Sequence, residues 1–267
     1  GLVGSEMCIR DSCPAVDSDT RQSRIVEFAR TRGRVDVVSL ATELDVASET
    51  IRRDLKALAS RRLLKRVHGG AVPLETAAFE SGVEYRSQVD LAQKHRIAAA
   101  AADLLHGGET VYLDEGFTPR LIAERLAERE LTVVTSSLLA AEALAHSDTV
   151  TVILLGGRMR GRTLATVDHW AVEMLRGLVI DVAYLGTNAI SLEHGLTTSD
   201  PAVAAVKGTA VRGARRSILV AAHSKFGQSN FCRFAEISDF EAIVTGTELG
   251  LTDAARYEDL GPTVIRV

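Results

Sequence analysis

Seven cations, Arg52, Arg53, Lys56, Arg61, Arg62, Lys65 and Arg66, lie within residues 49–68 of a 267-residue chain whose formal net charge is −4. Guanidinium and ammonium groups at this density can neutralise a row of phosphates, and arginine can also fork onto a base edge. A second set of residues is scattered. "DEGFT" carries Asp114, Gly116 and Thr118, "TSS" carries Thr135, Ser136 and Ser137, and a glycine pair stands at Gly156 and Gly157. Hydroxyls and free backbone N–H groups ahead of a helix suit a bound anion, although a Ser or Thr there also serves as an ordinary N-cap.

The elements that must present the cations can be read from periodicity. "RQSRIVEFARTRG" places Ile25, Phe28 and Ala29 on one helical face and stops at Gly33, a natural C-terminal cap. "DVVSLATELD" predicts a short second helix, with Asp36 as N-cap and Leu40, Ala41 and Leu44 on its buried side. After a tight turn, "SETIRRDLKALA" repeats Ile51, Leu55 and Leu58 at helical spacing and leaves Glu49, Arg52, Arg53 and Lys56 on the opposite face. Two helices joined by a short turn, the second with a basic outer face, form a helix-turn-helix whose second helix enters the DNA major groove. "RRLLKRVHGGAV" then predicts a small β-ribbon, or wing, around Lys65, Arg66 and His68 that closes at Gly69 and Gly70.

Charge follows this division. Residues 20–68 hold twelve Lys or Arg against six Asp or Glu, a balance of +6 that leaves −10 for the remainder. Such a local excess is the footprint of a site that meets a polyanion.

Beyond an irregular stretch, "VPLETAAFES", read as a linker over 72–81, residues 82–106 predict an Ala-rich helix stopped by Gly107 and Gly108. Apolar runs then alternate with amphipathic helices: "TVYLD", "LTVVTS", "VTVILLGG", "DVAYLG", "SILVAAH" and "EAIVTG" read as strands of a mostly parallel sheet. Open sheets of this kind bind ligands at the C-terminal ends of their strands, where Asp114, Thr135, Ser136 and Gly156 fall.

The residues that carry both halves resemble the DeoR-type bacterial transcriptional regulators. "TIRRDL" followed by "HGGA" resembles the family's DNA-binding domain, and "DEGFT", "TSS", "LLGG", "YLGTNAI", "HGLTT" leading to Lys207, and "HSKFG" with Lys225 resemble its sensor domain. The resemblance implies a winged helix-turn-helix joined to a larger α/β domain of the ribose-phosphate isomerase and sugar-phosphate deaminase fold. It implies Thr50 near a DNA phosphate at the start of the recognition helix, Arg52, Arg53 and Lys56 at the groove, and Lys65, Arg66 and His68 on the backbone. It further implies a phosphorylated sugar as effector, with Lys207 and Lys225 either pairing with its phosphate or serving as surface lysines. Where the family carries small residues or Asn, this chain has Ala47, Glu115, Phe117 and Ser136, so Ser48 is expected to cap the recognition helix and Glu115 to oppose a phosphate unless it accepts sugar hydroxyls.

Composition narrows the rest. Neither a P-loop nor a dinucleotide fingerprint occurs, so no nucleotide cofactor is expected, and Cys8, Cys13 and Cys232 have no metal-ligand spacing. No apolar run reaches the roughly 18 residues of a membrane span, and a cytoplasmic location is expected. "GLVGSEMCIRDS" resembles translated adapter read-through, and residues 1–19 are set aside as a non-native or disordered leader. Residues 20–71 are then the DNA-binding domain and 82–267 the sensing and oligomerising domain. His169 and the single Trp170 could line a lid, or the Trp could be buried against the sheet. Two functions are weighed, and the first, which is not an enzyme, is the expectation, because no pair of carboxylates has a recognisable catalytic spacing and an enzyme would leave the basic head unexplained. The first is a repressor of a carbohydrate-metabolism operon that binds double-stranded operator DNA as a homo-oligomer. The second is a sugar-phosphate isomerase-like enzyme with a DNA-binding head, for which Asp114, Glu115 or His223 would supply acid or base.

Overall fold

A computed structural model describes residues 18–61, 63–73, 86–87 and 89–267. The chain divides into two compact units that meet in sequence between Leu74 and Glu75. Of the expected leader, residues 1–17 lie outside the described residues, while Ser18 and Asp19 already belong to the first helix.

The first unit is built on α1 (Ser18–Arg32), β1 (Val35–Asp36), α2 (Val37–Glu43), α3 (Ser48–Ser60), β2 (Leu64–Val67) and β3 (Gly70–Pro73). Gly33 takes the left-handed backbone, φ +74°, and its N–H closes the end of α1 on the Ala29 carbonyl at 2.8 Å. Asp36 caps α2 by accepting from the Ser39 N–H at 2.9 Å. The turn to α3 passes through Asp45 at φ +50°. Ile51, Leu55 and Leu58 of α3 then bury against Ile25 and Ala29 of α1 and Leu40 and Leu44 of the α2 region. Each such aliphatic side chain contributes about 1.5–3 kcal/mol of burial, enough to hold three short helices that would not form alone.

Two expectations change here. Ser48 does not cap α3: it is the first helical residue, Ala47 holds the extended cap position, and no side chain takes a capping bond there. The Ala47 carbonyl instead receives the first N–H groups, from Thr50 at 2.9 Å and Ile51 at 3.3 Å. The wing also has three strands, in the order β1-β3-β2, because the two-residue β1 pairs with Gly70 and Ala71. Val72 and Pro73, read as the start of a linker, complete β3 opposite Lys65 and Leu64. The rest of that stretch, 74–81, lies outside the described residues.

The second unit carries a seven-stranded sheet, all of it parallel, in the order β15-β14-β12-β9-β4-β5-β6. Its strands are β4 (Thr110–Leu113), β5 (Leu131–Thr135), β6 (Val150–Leu154), β9 (Ile180–Leu185), β12 (Ala214–Val220), β14 (Ala242–Thr245) and β15 (Thr263–Arg266). Buried on both faces, the central strands read as nearly continuous apolar runs. Helices α4 (Leu91–Asp103), α5 (Phe117–Leu126) and α6 (Leu138–Leu144) pack with one apolar cluster, and α7 (His169–Arg176) and α8 (Pro201–Gly213) with the other. A helix α9 (Leu251–Glu258) precedes β15.

The helix expected from residue 82 starts at Leu91, because Asp90 adopts φ +53° and breaks helical geometry; residues 82–85 and 88 lie outside the described set. Two small sheets were not anticipated: the hairpin of β7 (Arg158–Arg160) with β8 (Ala165–Val167), and a ladder of β10 (Ala189–Ser191), β11 (Gly195–Thr198) and β13 (Cys232–Ala235). No helix among the described residues is long and apolar enough to cross a membrane.

Candidate functional site

Two places in the molecule concentrate chemistry, one in each unit. In the first, the outer face of α3 is solvent-exposed at Glu49, Arg52, Arg53 and Lys56, while Thr50 is half-buried at the helix start. Lys65, Arg66 and His68 of the wing are exposed as well. Arg52 leans back on Glu49 at 3.2 Å, an exposed pair that a stronger anion can displace. Two residues outside the sequence reading hold this surface in shape. Arg34 donates to the His68 carbonyl at 3.0 Å and steadies the wing tip. Asp54, inside "TIRRDL", faces inward, where Arg21 Nε at 2.6 Å and Gln22 Nε2 at 2.9 Å donate to its carboxylate and fasten α3 to α1.

The "HGG" turn has a physical reason for both glycines. Gly69 sits at φ +74°. At Gly70 a Cβ would lie 2.0 Å from the Val35 carbonyl oxygen, so only glycine lets β1 reach β3.

In the second unit the connection order reverses between β4 and β9, one half of the sheet running outward through β5 and β6 and the other through β12, β14 and β15. A crevice opens at such a switch point beyond the carboxyl ends of the strands. Asp114, the residue after β4, occupies it: its N–H donates to the Tyr184 carbonyl at 3.1 Å, and its Oδ2 accepts from the Gly186 N–H at 2.9 Å. Lys207, from α8, donates to the same Oδ2 and to the Gly186 carbonyl at 3.2 Å, and lies 3.7 Å from Glu115 Oε1. Glu115 in turn is 3.7 Å from Arg86. Asp114, Glu115 and Lys207 are all buried. Two carboxylates and two cations therefore neutralise one another, and Asp114 Oδ1 has no hydrogen-bond partner among the described residues.

These groups, with Ser136, Thr166, Val203 and Val206, line a narrow crevice that is nearly closed in this conformation. Above Ser136 the Tyr112 hydroxyl stands at 3.1 Å, and burial, reinforced by the Asp114 charge, holds that phenol well above its ordinary range. It remains a neutral hydrogen-bonding group.

The other expected residues are placed by the structure as follows. Gly116 is the N-cap of α5 at φ +122°, and Thr118 is buried in its first turn. Thr135 Oγ1 donates to the Leu113 carbonyl at 2.6 Å and accepts from the Ser137 N–H, and Ser137 caps α6 through the Ala140 N–H at 3.2 Å. These hydroxyls are already occupied. The Gly156 N–H meets Met174 Sδ at 3.1 Å, and a Cβ on Gly157 would sit 2.4 Å from the Val167 carbonyl oxygen. Lys225 ends a single 3₁₀ turn, His223–Lys225, outside the crevice lining. His223 is likewise absent from that lining and bonds Gln93 through both its N–H and its ring Nδ1. Trp170 is not buried against the sheet: it is 71% exposed on α7, because Ala171, Val172 and Leu175 form the buried stripe of that helix. No group of three or more His, Cys, Asp or Glu among the described residues could hold a metal ion.

Sequence reasoning missed Arg86 and Lys94. Lys94 is buried near the start of α4, where its ammonium donates to the Arg86 carbonyl at 2.6 Å and the Val89 carbonyl at 2.7 Å. Desolvation, with Lys225 and Arg86 nearby, lowers its pKa to about 8. The unfolded chain holds this proton up to about pH 10.4, so between the two values the native state binds fewer protons and stability rises with pH. Relative to Lys94→Met, the wild type is expected to gain about 2 kcal/mol between pH 7.5 and 9.5. Urea titrations of both proteins at the two pH values test this, and a difference that does not change with pH contradicts the lowered pKa.

Comparison with known proteins agrees with this division. Residues 21–77 match a DeoR-like helix-turn-helix domain and residues 89–247 the DeoR C terminal sensor domain. The chain is 34% identical to the HTH-type transcriptional regulator GlpR of Haloferax volcanii, over 92% of this chain and 96% of that protein. It is 33% identical to the glycerol-3-phosphate regulon repressor of Haemophilus influenzae, over 85% of this chain and 88% of the relative. Among solved structures, ribose 5-phosphate isomerase A of Methanocaldococcus jannaschii aligns over 50% of this chain and 53% of its own at a TM-score of 0.37 and 15% identity, a likeness too distant to bear on function. With both domain models matched in their expected order, the chain belongs to the DeoR family of helix-turn-helix transcriptional regulators.

Proposed function

We propose that the protein is a repressor of a carbohydrate-metabolism operon, held on double-stranded operator DNA by the first unit and released when a phosphorylated sugar metabolite binds the second. The observation that carries the DNA half is the basic outer face of α3, Arg52, Arg53 and Lys56, exposed on a helix whose opposite face is fully buried. In this reading Arg52, Arg53 and Lys56 read the major groove, Thr50 meets a phosphate at the start of α3, and Lys65, Arg66 and His68 contact backbone phosphates from the wing. Relatives named for a glycerol-3-phosphate regulon fit a phosphorylated effector.

The effector's seat in this reading is the crevice at the β4/β9 switch point. Asp114 Oδ1 and the Ser136 hydroxyl suit the polyol end of a sugar, while Thr166, whose hydroxyl already donates to the Leu155 carbonyl at 2.8 Å, can only accept. Lys207 is already neutralised by Asp114, and Glu115 adds a second carboxylate, so the phosphate belongs outside this pocket floor, toward Gly116 at the start of α5. The crevice is small, and binding requires it to widen; that movement is the change passed on to DNA affinity. The same neutralisation argues against catalysis, since neither carboxylate stands free to act as a general base and His223 lies elsewhere.

Fluorescence anisotropy of labelled upstream DNA, titrated with protein at fixed salt, tests the reading. Tight binding that one member of a sugar-phosphate panel reverses is the expected result. Binding no tighter than to a scrambled duplex, with turnover of ribose 5-phosphate or a glucosamine phosphate, would establish the enzyme instead.

A further inference from the structure

The crevice at the switch point has two facing walls. One is β8, whose Ala165, Thr166 and Val167 line it, and the other is α8, which contributes Val203, Val206 and Lys207. β8 is held from behind: the Thr166 N–H donates to the Ser136 carbonyl at 2.8 Å, and the Leu138 N–H to the Leu164 carbonyl at 2.9 Å. Across the walls runs a charge pair that takes no part in the crevice floor. Arg160, opposite Ala165 in the β7–β8 ladder, reaches Asp200 at 3.2 Å, and Asp200 is the N-cap of α8, one helical turn before Val203.

The Asp200 carboxylate is divided between two tasks. Its Oδ1 accepts from the Ala202 and Val203 N–H groups at 2.8 and 3.3 Å, and its Oδ2 faces Arg160. Arg160 also donates to Thr163 Oγ1 at 3.3 Å, inside the hairpin turn, so its guanidinium is oriented before it meets Asp200. The two side chains are 12% and 29% exposed, which puts the pair between the buried floor and solvent, where water competes with it less than on the open surface. The wall it ties is strained. The chain leaves β8 through Asp168 at φ +76° and ψ −167°, a conformation ordinarily kept for glycine, and such a residue persists only where its surroundings impose it.

We infer that the Arg160–Asp200 pair is a strap that holds the two walls together and sets how readily the crevice opens to a ligand. Both are then positioning residues, acting through the walls and not by touching the ligand. The inference rests on the reading of this crevice as the effector's seat. When only the open form binds, apparent affinity falls by the fraction of molecules that are open, so cutting the strap raises affinity. Loss of an ordinary structural contact would lower it, and the sign separates the two roles.

Thiol reactivity reads the opening without DNA or effector. Val203→Cys, in a full chain with Cys8, Cys13 and Cys232 replaced by Ser, puts a thiol in the crevice lining, and its rate of reaction with methyl methanethiosulfonate is measured. Ile243→Cys, on a buried position of β14 outside that lining, reports general loosening. Arg160→Gln and Asp200→Asn are each expected to speed the crevice thiol about three- to tenfold, while the β14 thiol keeps its rate. Asn caps a helix as well as Asp, so Asp200→Asn removes the charge and leaves the cap. The double variant should be no faster than either single one, since both cut the same pair, and Arg160→Lys should stay near wild type. Unchanged crevice rates overturn the strap. So does an equal rise at both thiols, which is loosening of the whole unit, or a double variant in which the two effects multiply. For a panel compound that releases the protein from DNA, Asp200→Asn should lower the half-releasing concentration by the same factor, and a higher concentration overturns the strap. A panel that releases nothing counts against the effector reading and leaves the thiol rates to decide the strap.

Discussion

Replacing Lys207 with Met is expected to lower the stability of the sensor unit by about 3–5 kcal/mol, the usual consequence of removing one partner from a buried ion pair. Lys207 is buried at the switch point between β4 and β9, where it donates to Asp114 and to the Gly186 carbonyl and faces Glu115. Methionine nearly matches the lysine stem in volume, so the variant changes charge more than packing. Asp114 would then keep only the Gly186 N–H among the described residues, where Oδ1 has no partner to compensate. An exposed pair such as Arg120–Glu124 on α5, by contrast, contributes about 0.3–0.5 kcal/mol. Burial accounts for the tenfold contrast, because in the crevice the charge has no water to turn to. Urea unfolding followed by circular dichroism measures the loss. The double variant Lys207→Met with Asp114→Asn should recover part of it, because the unpaired carboxylate is then gone. A loss below about 1 kcal/mol in the single variant would mean that Lys207 is solvated in solution, and the neutralised crevice floor would have to be abandoned.

Six of the seven strands of the large sheet could be read from the sequence because each carries a short run of Val, Ile, Leu and Ala, whereas β15, a four-residue TVIR strand at the sheet's edge, was missed. The helix-turn-helix could be read because Ile51, Leu55 and Leu58 keep a strict period and the cations avoid it. What periodicity does not show is which polar residues turn inward. Lys207 stands between Val206 and Gly208, both buried, but its partner Asp114 is 93 positions away, so nothing local names the group that pairs with it. Asp54 sits within the most basic stretch of the chain yet is buried, held by Arg21 and Gln22 from a different helix. Trp170 misleads in the opposite direction: large apolar residues are mostly inside, but the rule does not run backward to any one of them. The short strands β7, β8, β10 and β11 span three or four residues each, too few for alternation to register. Thr135 and Ser137 had the residue types of an anion site, and the structure uses both as local hydrogen-bonding groups, the alternative that their position ahead of α6 already allowed.

The proposed DNA-binding surface is open to a sharper test than loss of binding, because groove and wing contacts would fail differently. Arg53→Ala removes an exposed guanidinium from the outer face of α3 and is expected to cost about 1–3 kcal/mol on the operator with little change on a scrambled duplex, as a base contact should. Arg52 starts from a pair with Glu49 that must open before it reaches DNA, so its loss should cost less than that of Arg53. Removing Arg52, Arg53 and Lys56 together should bring operator affinity down to that for unrelated sequence, a change of about 4–10 kcal/mol. Wing substitutions should behave otherwise. Lys65→Ala with Arg66→Ala weakens operator and scrambled DNA alike and lowers the slope of log affinity against log salt by about 2, since each lost phosphate contact removes about 0.9. Anisotropy titrations on both duplexes at four salt concentrations separate the two patterns. If Arg53→Ala lowers both affinities equally and flattens the salt slope, Arg53 positions the helix on phosphates, and sequence must be read by other side chains of α3. Ser48 and Glu49 at its first turn would then be the residues to test, because a recognition helix meets base edges with its N-terminal end.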